Sequence, residues 1–235
     1  FSIYMHLILF CVFIIFLTNA EKVRNIQLHN DNFLVIRGSI DDTTSSNFVY
    51  ELNKKKNKNN TYVYLDTPGG SVESGNVILN EIQKYNLSCI AEKAYSMGFV
   101  LLQGCKKRYI TKYAKVMQHQ ISYGIKNEIE KINSYSRFIN EIDQELNQMQ
   151  ANKINMTYSD FKFKTFNEWW LFGQNIISEN VADKMVNVLC TKDITEKNET
   201  IDYGSWTYIY SKCPLIKDPI EQIKNKQTEN IFFYI

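Results

Sequence analysis

The chain has 235 residues, enough for one domain of ordinary size with a sizeable core. Hydrophobic residues make up 44% and charged residues 22%, the balance of a globular protein. The net charge of +2 is too small to point to a nucleic-acid partner, and Lys54-Lys55-Lys56-Asn57-Lys58 reads as a solvated loop between a helix and a strand.

In chain order, residues 7–17 form an unbroken apolar run, too short for a comfortable membrane span. Thr18-Asn19-Ala20 follows, with small residues at its outer two positions, then the charged Glu21-Lys22. That is the layout of a secretory signal peptide at 1–20, cleaved after Ala20; an uncleaved anchor is the alternative. Beyond it stand Cys89, Cys105, Cys190 and Cys213, an even number that allows three pairings. The most local choice joins Cys89 to Cys105 and Cys190 to Cys213, and four buried free thiols are the bland alternative. Glycosylation sequons start at Asn59, Asn86, Asn155 and Asn198, although an Asn-rich chain also makes them by chance. These features point to a secreted or lumenal location.

Phe33-Leu34-Val35-Ile36 reads as a buried strand that stops at Gly38. Asp41-Asp42-Thr43-Thr44 supplies N-cap residues for a helix bearing Phe48, Val49 and Leu52. Thr61-Tyr62-Val63-Tyr64-Leu65 is a second strand running into Pro68-Gly69-Gly70. Ser71 then begins a helix with Val77, Ile78, Ile82 and Tyr85 on one stripe. Residues 88–91 form a third strand, Ser96 opens another helix, and residues 108–111 and 115–117 are short strands on either side of a turn. Strand and helix alternate, which predicts an α/β domain with a mostly parallel sheet. From Ile125 onward Ile129, Ile132, Tyr135, Phe138, Ile139, Ile142, Leu146 and Met149 recur every three or four positions, predicting a long amphipathic helix suited to subunit contact. After Thr191 the chain is mostly polar, ending in the aromatic residues 231–235, so 191–235 reads as a C-terminal extension to a domain at 21–190.

Three signals carry chemistry. Two adjacent glycines permit positive φ, let the backbone approach a substrate, and leave N–H groups free to face an anionic oxygen. A phosphate-binding loop is the rival, but no Gly-Lys-Ser/Thr follows. Ser96 sits at a strand-to-helix turn, where helix N–H groups favour developing negative charge; by itself it reads as an N-cap. His119 follows the apolar strand Val116-Met117, and alone it is more often structural than catalytic. In combination the three supply what a serine hydrolase requires.

Leu65-Asp66-Thr67-Pro68-Gly69-Gly70-Ser71-Val72, Ala94-Tyr95-Ser96-Met97-Gly98 and Met117-Gln118-His119-Gln120 resemble, in order and spacing, the proteolytic subunit of the Clp protease within the ClpP/crotonase superfamily. Gly38-Ser39-Ile40-Asp41-Asp42 is similar to that family's first strand-to-helix turn, and the likeness covers about residues 33–189. The resemblance implies a ClpP/crotonase-like α/β fold, a repeated ββα superhelix with a long protruding handle helix from Ile125. It implies Ser96 as nucleophile, His119 as general base, and the Gly70 and Met97 N–H groups as oxyanion hole. Gly69, Gly70, Ser71 and Gln120 would then contact substrate. It also implies a homo-oligomeric ring acting on peptides or unfolded proteins, with no cofactor and no metal.

The third triad member departs from the family's Asp. Counting back from Asp183 places Glu168 there; a one-residue slip places Asn167, and Asp160 is more distant. Any ATP-driven unfolding would require another protein, since the chain has no P-loop. The competing readings are a catalytically impaired scaffold that kept the ring, and a crotonase-type acyl-CoA enzyme.

Overall fold

The computed structural model describes residues 23–196, 198–203 and 205–224. The expected signal segment and the aromatic end at 231–235 lie outside them. Among the described residues a seven-stranded mixed sheet is built from β1 (Arg24–Leu28), β2 (Phe33–Arg37), β3 (Tyr62–Thr67), β4 (Ser88–Tyr95), β5 (Arg108–Gln118), β6 (Trp169–Phe172) and β7 (Lys184–Cys190). The order is β1-β7-β5-β4-β3-β2, all neighbours parallel, with β6 antiparallel on β5. This is the α/β, mostly parallel architecture that strand–helix alternation predicts.

Each crossover helix forms where a cap meets an apolar face. Asp41 caps α1 (Asp42–Lys54) by accepting from the Thr44 N–H at 2.8 Å, and Phe48 and Leu52 are buried. Ser71 caps α2 (Val72–Lys84). The buried face of α2 is Ile78, Leu79 and Ile82, whereas Val77, expected in the stripe, is exposed. Residues 75, 78, 79 and 82 share one face at 100° per residue, and 77 falls outside it. Helix α3 (Met97–Gly104) is buried on every side, in contact with β4, α2 and the C-terminal turns of α4 (Ile129–Lys153).

The alternation of the strands divides the core. Val63, Leu65, Ala91 and Ile110 face the helices, while Tyr64, Ile90 and Tyr109 join Ile26, Leu28 and Ile194 on the opposite face. Two expectations need correction. The predicted pair of strands at 108–111 and 115–117 is one continuous strand, because a register shift between Ala91 and Lys93 lets β4 follow β5 throughout. The long helix begins at Ile129, four residues after the predicted Ile125.

Past β7, α7 (Lys192–Glu196) leads to an antiparallel sheet of β8 (Asn198–Tyr203), β9 (Trp206–Ser211) and β10 (Glu221–Lys224). The cysteines pair as Cys89–Cys105 and Cys190–Cys213, the most local of the three possibilities. The second bridge ties this extension to the end of β7. Lys217 in turn reaches the buried Asp66, which Arg37 and Lys93 also flank. Burial pushes the Asp66 carboxyl up, but the ammonium groups of Lys217 and Lys93 outweigh it and hold the acid below its usual range.

The helices α5 (Tyr158–Thr165) and α6 (Gln174–Ser178) close the helical layer. Arg108, buried at the start of β5, locks it to the sheet. Its guanidinium donates to Asp183, to Gln103 of α3 and to the Asn180 carbonyl. Burial raises the Asp183 acid, and the Arg108 bonds lower it further, so the net shift is downward. A depressed carboxyl contributes stability in full above its unfolded pKa and loses it as pH falls through the lower folded value. Stability measured by urea unfolding should therefore decline below about pH 4 in the native chain. Asp183→Ala should unfold more easily by about 1–3 kcal/mol at neutral pH, under the usual cost of splitting a buried pair, because the Asp183 side chain is 37% exposed and Gln103 and the carbonyl still hold Arg108. An Asp183→Ala variant with the acid profile and midpoint of the native chain would contradict this account.

Candidate active site

Parallel pairing brings the catalytic candidates to one edge. Thr67 pairs with Ala94, Ala94 with Val116, and Tyr95 with Met117, so the Gly-Gly turn, Ser96 and His119 all emerge where β3, β4 and β5 end. Ligand sites in open parallel sheets form at these carboxyl ends.

Ser96 occupies the N-cap position of α3, but it does not cap. Its backbone has φ 53° and ψ −119°, and its side chain makes no capping bond. Instead its Oγ lies 2.9 Å from Nε2 of His119. The Ser96 N–H is fixed by the Met117 carbonyl at 2.8 Å, and the Ser96 carbonyl accepts from Phe99 at 2.9 Å. The turn is thus held by its backbone while the hydroxyl points to the histidine. Such a conformation in a non-glycine residue costs about 1–3 kcal/mol and persists only where its surroundings enforce it.

Gly69 is part of that enforcement. It has φ 94°, and a Cβ there would stand 2.6 Å from the Tyr95 carbonyl oxygen and 2.8 Å from Ser96 Cβ. Its N–H donates to Thr67 Oγ1 at 3.0 Å, and its carbonyl accepts from Ile40 at 2.9 Å. Gly70 lies against the Ile40 backbone, where a side chain has no room. Among the described residues, neither the Gly70 nor the Met97 N–H donates a hydrogen bond. Gly70, Ser96, Met97 and His119 all line one cleft of about 270 Å³, whose apolar wall is Pro68, Val72, Val100, Met117 and Leu146.

The remaining predicted residues divide. Gln120 lines the cleft and donates to the Phe166 carbonyl at 3.1 Å. Ser71 spends its Oγ as the α2 cap and its N–H on the Ile40 carbonyl. Gly69 shapes the floor of the turn and is not among the cleft-lining residues.

Glu168 is not brought to the histidine. Its backbone is left-handed, with φ 65°, and its Oε2 accepts from the Trp170 indole at 2.9 Å. The Trp170 ring packs edge-on to Tyr95, the neighbour of Ser96, 5.0 Å between centroids. Asp160 is reciprocally bonded to Thr157 at the start of α5, and Asn167 is exposed. Among the described residues the only side-chain partner of the His119 imidazole is Ser96.

Gln118, which the sequence shows only as part of the histidine motif, and Gln150 are both buried and both line the cleft. A polar residue ending an otherwise apolar strand, and another on the buried side of α4, were the available signals.

The class is now defined: a mixed α/β protein presenting a serine–histidine pair and free backbone N–H groups at the ends of its parallel strands. The family model for Clp protease matches residues 19–201, most of the chain, and the chain belongs to the Clp protease family. It is a Clp-like peptidase by descent, in a family that is generally oligomeric and acts on peptide substrates.

Gly69→Ala should test how the turn is held. The added methyl meets backbone atoms and a constrained Cβ, so the variant should lose about 1–3 kcal/mol of stability in urea unfolding. Stability equal to the native chain would mean that Gly69 does not support the Ser96 turn.

Proposed function

We propose that this chain is a serine endopeptidase working inside a homo-oligomeric ring, secreted or lumenal, with peptides or unfolded proteins as substrate. The observation that carries the reading is the 2.9 Å contact between Ser96 Oγ and His119 Nε2 at a turn where the serine is excused from capping. Ser96 Oγ attacks the peptide carbonyl carbon while His119 Nε2 takes its proton. The Gly70 and Met97 N–H groups receive the oxyanion. His119 returns the proton to the leaving amine, and water then hydrolyses the acyl-serine by the same path reversed. An apolar side chain suits the wall formed by Val72, Val100, Met117 and Leu146. No cofactor enters this chemistry.

Support for the ring comes from α4. Only its last third reaches the core, whereas Ile129, Tyr135 and Phe138 are exposed. The location rests on the two disulfides, on the apolar segment ahead of Ala20, and on the exposure of Asn59, Asn86, Asn155 and Asn198. The one observation favouring an impaired scaffold is the capture of Glu168 by Trp170.

A fluorophosphonate probe should label Ser96, and Ser96→Ala should abolish labelling and lower peptide hydrolysis at least about 1,000-fold. Absence of labelling under conditions that label other serine peptidases would favour the scaffold. Glu168→Gln should change hydrolysis less than about threefold, because the carboxylate does not bond His119; a drop near the 10,000-fold cost of a lost triad acid would restore Glu168 to the mechanism. Light scattering at micromolar concentration should show an oligomer, and a monomer would remove the ring.

A further inference from the structure

Among the described residues no carboxylate bonds the His119 imidazole, so its placement depends on how the His119 backbone is held. Strand β5 ends at Gln118, and beyond it the sheet no longer holds the chain. The His119 N–H is instead taken by Gln118 Oε1 at 3.1 Å. Gln118 Nε2 donates to Gln150 Oε1, and Gln150 Nε2 donates to the Leu146 carbonyl at 2.9 Å. Both amides are almost fully buried, Gln118 at 4% and Gln150 at 1% exposure. The run is polar in one direction only. A backbone N–H can only donate and a backbone carbonyl can only accept, so the two ends dictate how each amide must point.

We propose that Gln118 and Gln150 are positioning residues that hold the His119 backbone, and with it the imidazole, toward Ser96 from helix α4. This rests on the Ser96–His119 peptidase reading. The chain Leu146–Gln150–Gln118–His119 joins the cleft wall to the histidine backbone through a buried amide–amide bond flanked by two part-buried ones. A buried amide is costly unless paired, and this pair is paired only when α4 and the end of β5 are in register. The position of the histidine is thereby set by the helix that also supplies Leu146 and Asn147 to the cleft.

Three variants test it: Gln118→Leu, Gln150→Leu and the double replacement. Each single change strands one buried amide, so it should lower the melting temperature and slow fluorophosphonate labelling of Ser96 about 10- to 100-fold, the scale of a misplaced catalytic group. The double change removes both amides and lets two apolar side chains meet, so the melting temperature should recover while labelling stays slow. Labelling that returns together with the melting temperature would make the pair merely structural and overturn the proposal. A second readout does not need activity. In nitrogen-15 histidine-labelled protein, the His119 amide should be protected from hydrogen exchange in the native chain and exchange at least about 10-fold faster in Gln118→Leu and in the double variant. Unchanged exchange would overturn the positioning role even if the native enzyme is active. Protection in the native chain that is lost in Gln118→Leu, in a protein whose Ser96 the fluorophosphonate does not label, would leave the positioning intact and defeat the peptidase reading instead.

Discussion

Everything at the site depends on the left-handed backbone of Ser96. A serine in an ordinary N-cap would fold its hydroxyl back onto the helix, satisfying a free N–H. With φ at 53° that option is closed, and the hydroxyl projects to His119. The strain is sustained by close approach: Gly69 under the turn, Gly98 against Thr67 Cγ2, and Gly75 against the Met97 side chain. Each of these glycines permits a contact that a methyl group would break. The Cys89–Cys105 bridge closes the base of the same unit, joining the second residue of β4 to the residue after α3 across 16 positions. A loop of that size contributes about 3 kcal/mol by restricting the unfolded chain. The segment that bears the serine is thus constrained at its tip by packing and at its base by a covalent bond.

The histidine is held by different means, and Glu168 by weaker ones. Strand β5 is bonded to β4, β6 and β7, so the backbone leading to His119 is immobilised up to Gln118. Glu168 lies on the exposed turn ahead of β6, and its indole contact is the kind of surface hydrogen bond that contributes about 1 kcal/mol. Ser96 and His119 rest on the sheet, and Glu168 rests on a loop.

Much of this was readable in the chain because the signals were local. Pro68-Gly69-Gly70, Asp41 and Ser71 act through turns and caps that a few residues define, and the structure has them in those roles. Apolar runs at 33–36 and 61–65 became strands because β-branched and aromatic residues were bounded by turn residues. Where partners decided the outcome, sequence was insufficient. Strand β1 carries Arg24, Asn25 and Gln27 and becomes a strand only by pairing with β7. Strand β10 is exposed at every position and, like β8, forms by pairing with β9. Glu168 could be aligned by counting, but counting says nothing about an indole two residues away. The Gln118–Gln150 pair spans 32 positions and is visible only once α4 lies over the end of β5.

Helix α4 joins the two scales of the molecule. Its 25 residues extend about 37 Å, and only the end near Leu146, Gln150 and Ala151 is anchored in the core. The other end exposes Ile129 and Phe138, apolar surface that a lone chain leaves in water. Ile129 is 74% and Phe138 50% exposed, so burying what remains of them against a second copy would stabilise the assembly by about 2–4 kcal/mol per helix before the cost of ordering. The same rigid rod supplies Leu146 and Asn147 to the cleft and Gln150 to the bond that steadies His119. Under the ring reading, one helix therefore serves both the contact between subunits and the geometry of the cut, so a change that loosens its anchored end acts on catalysis before it acts on assembly.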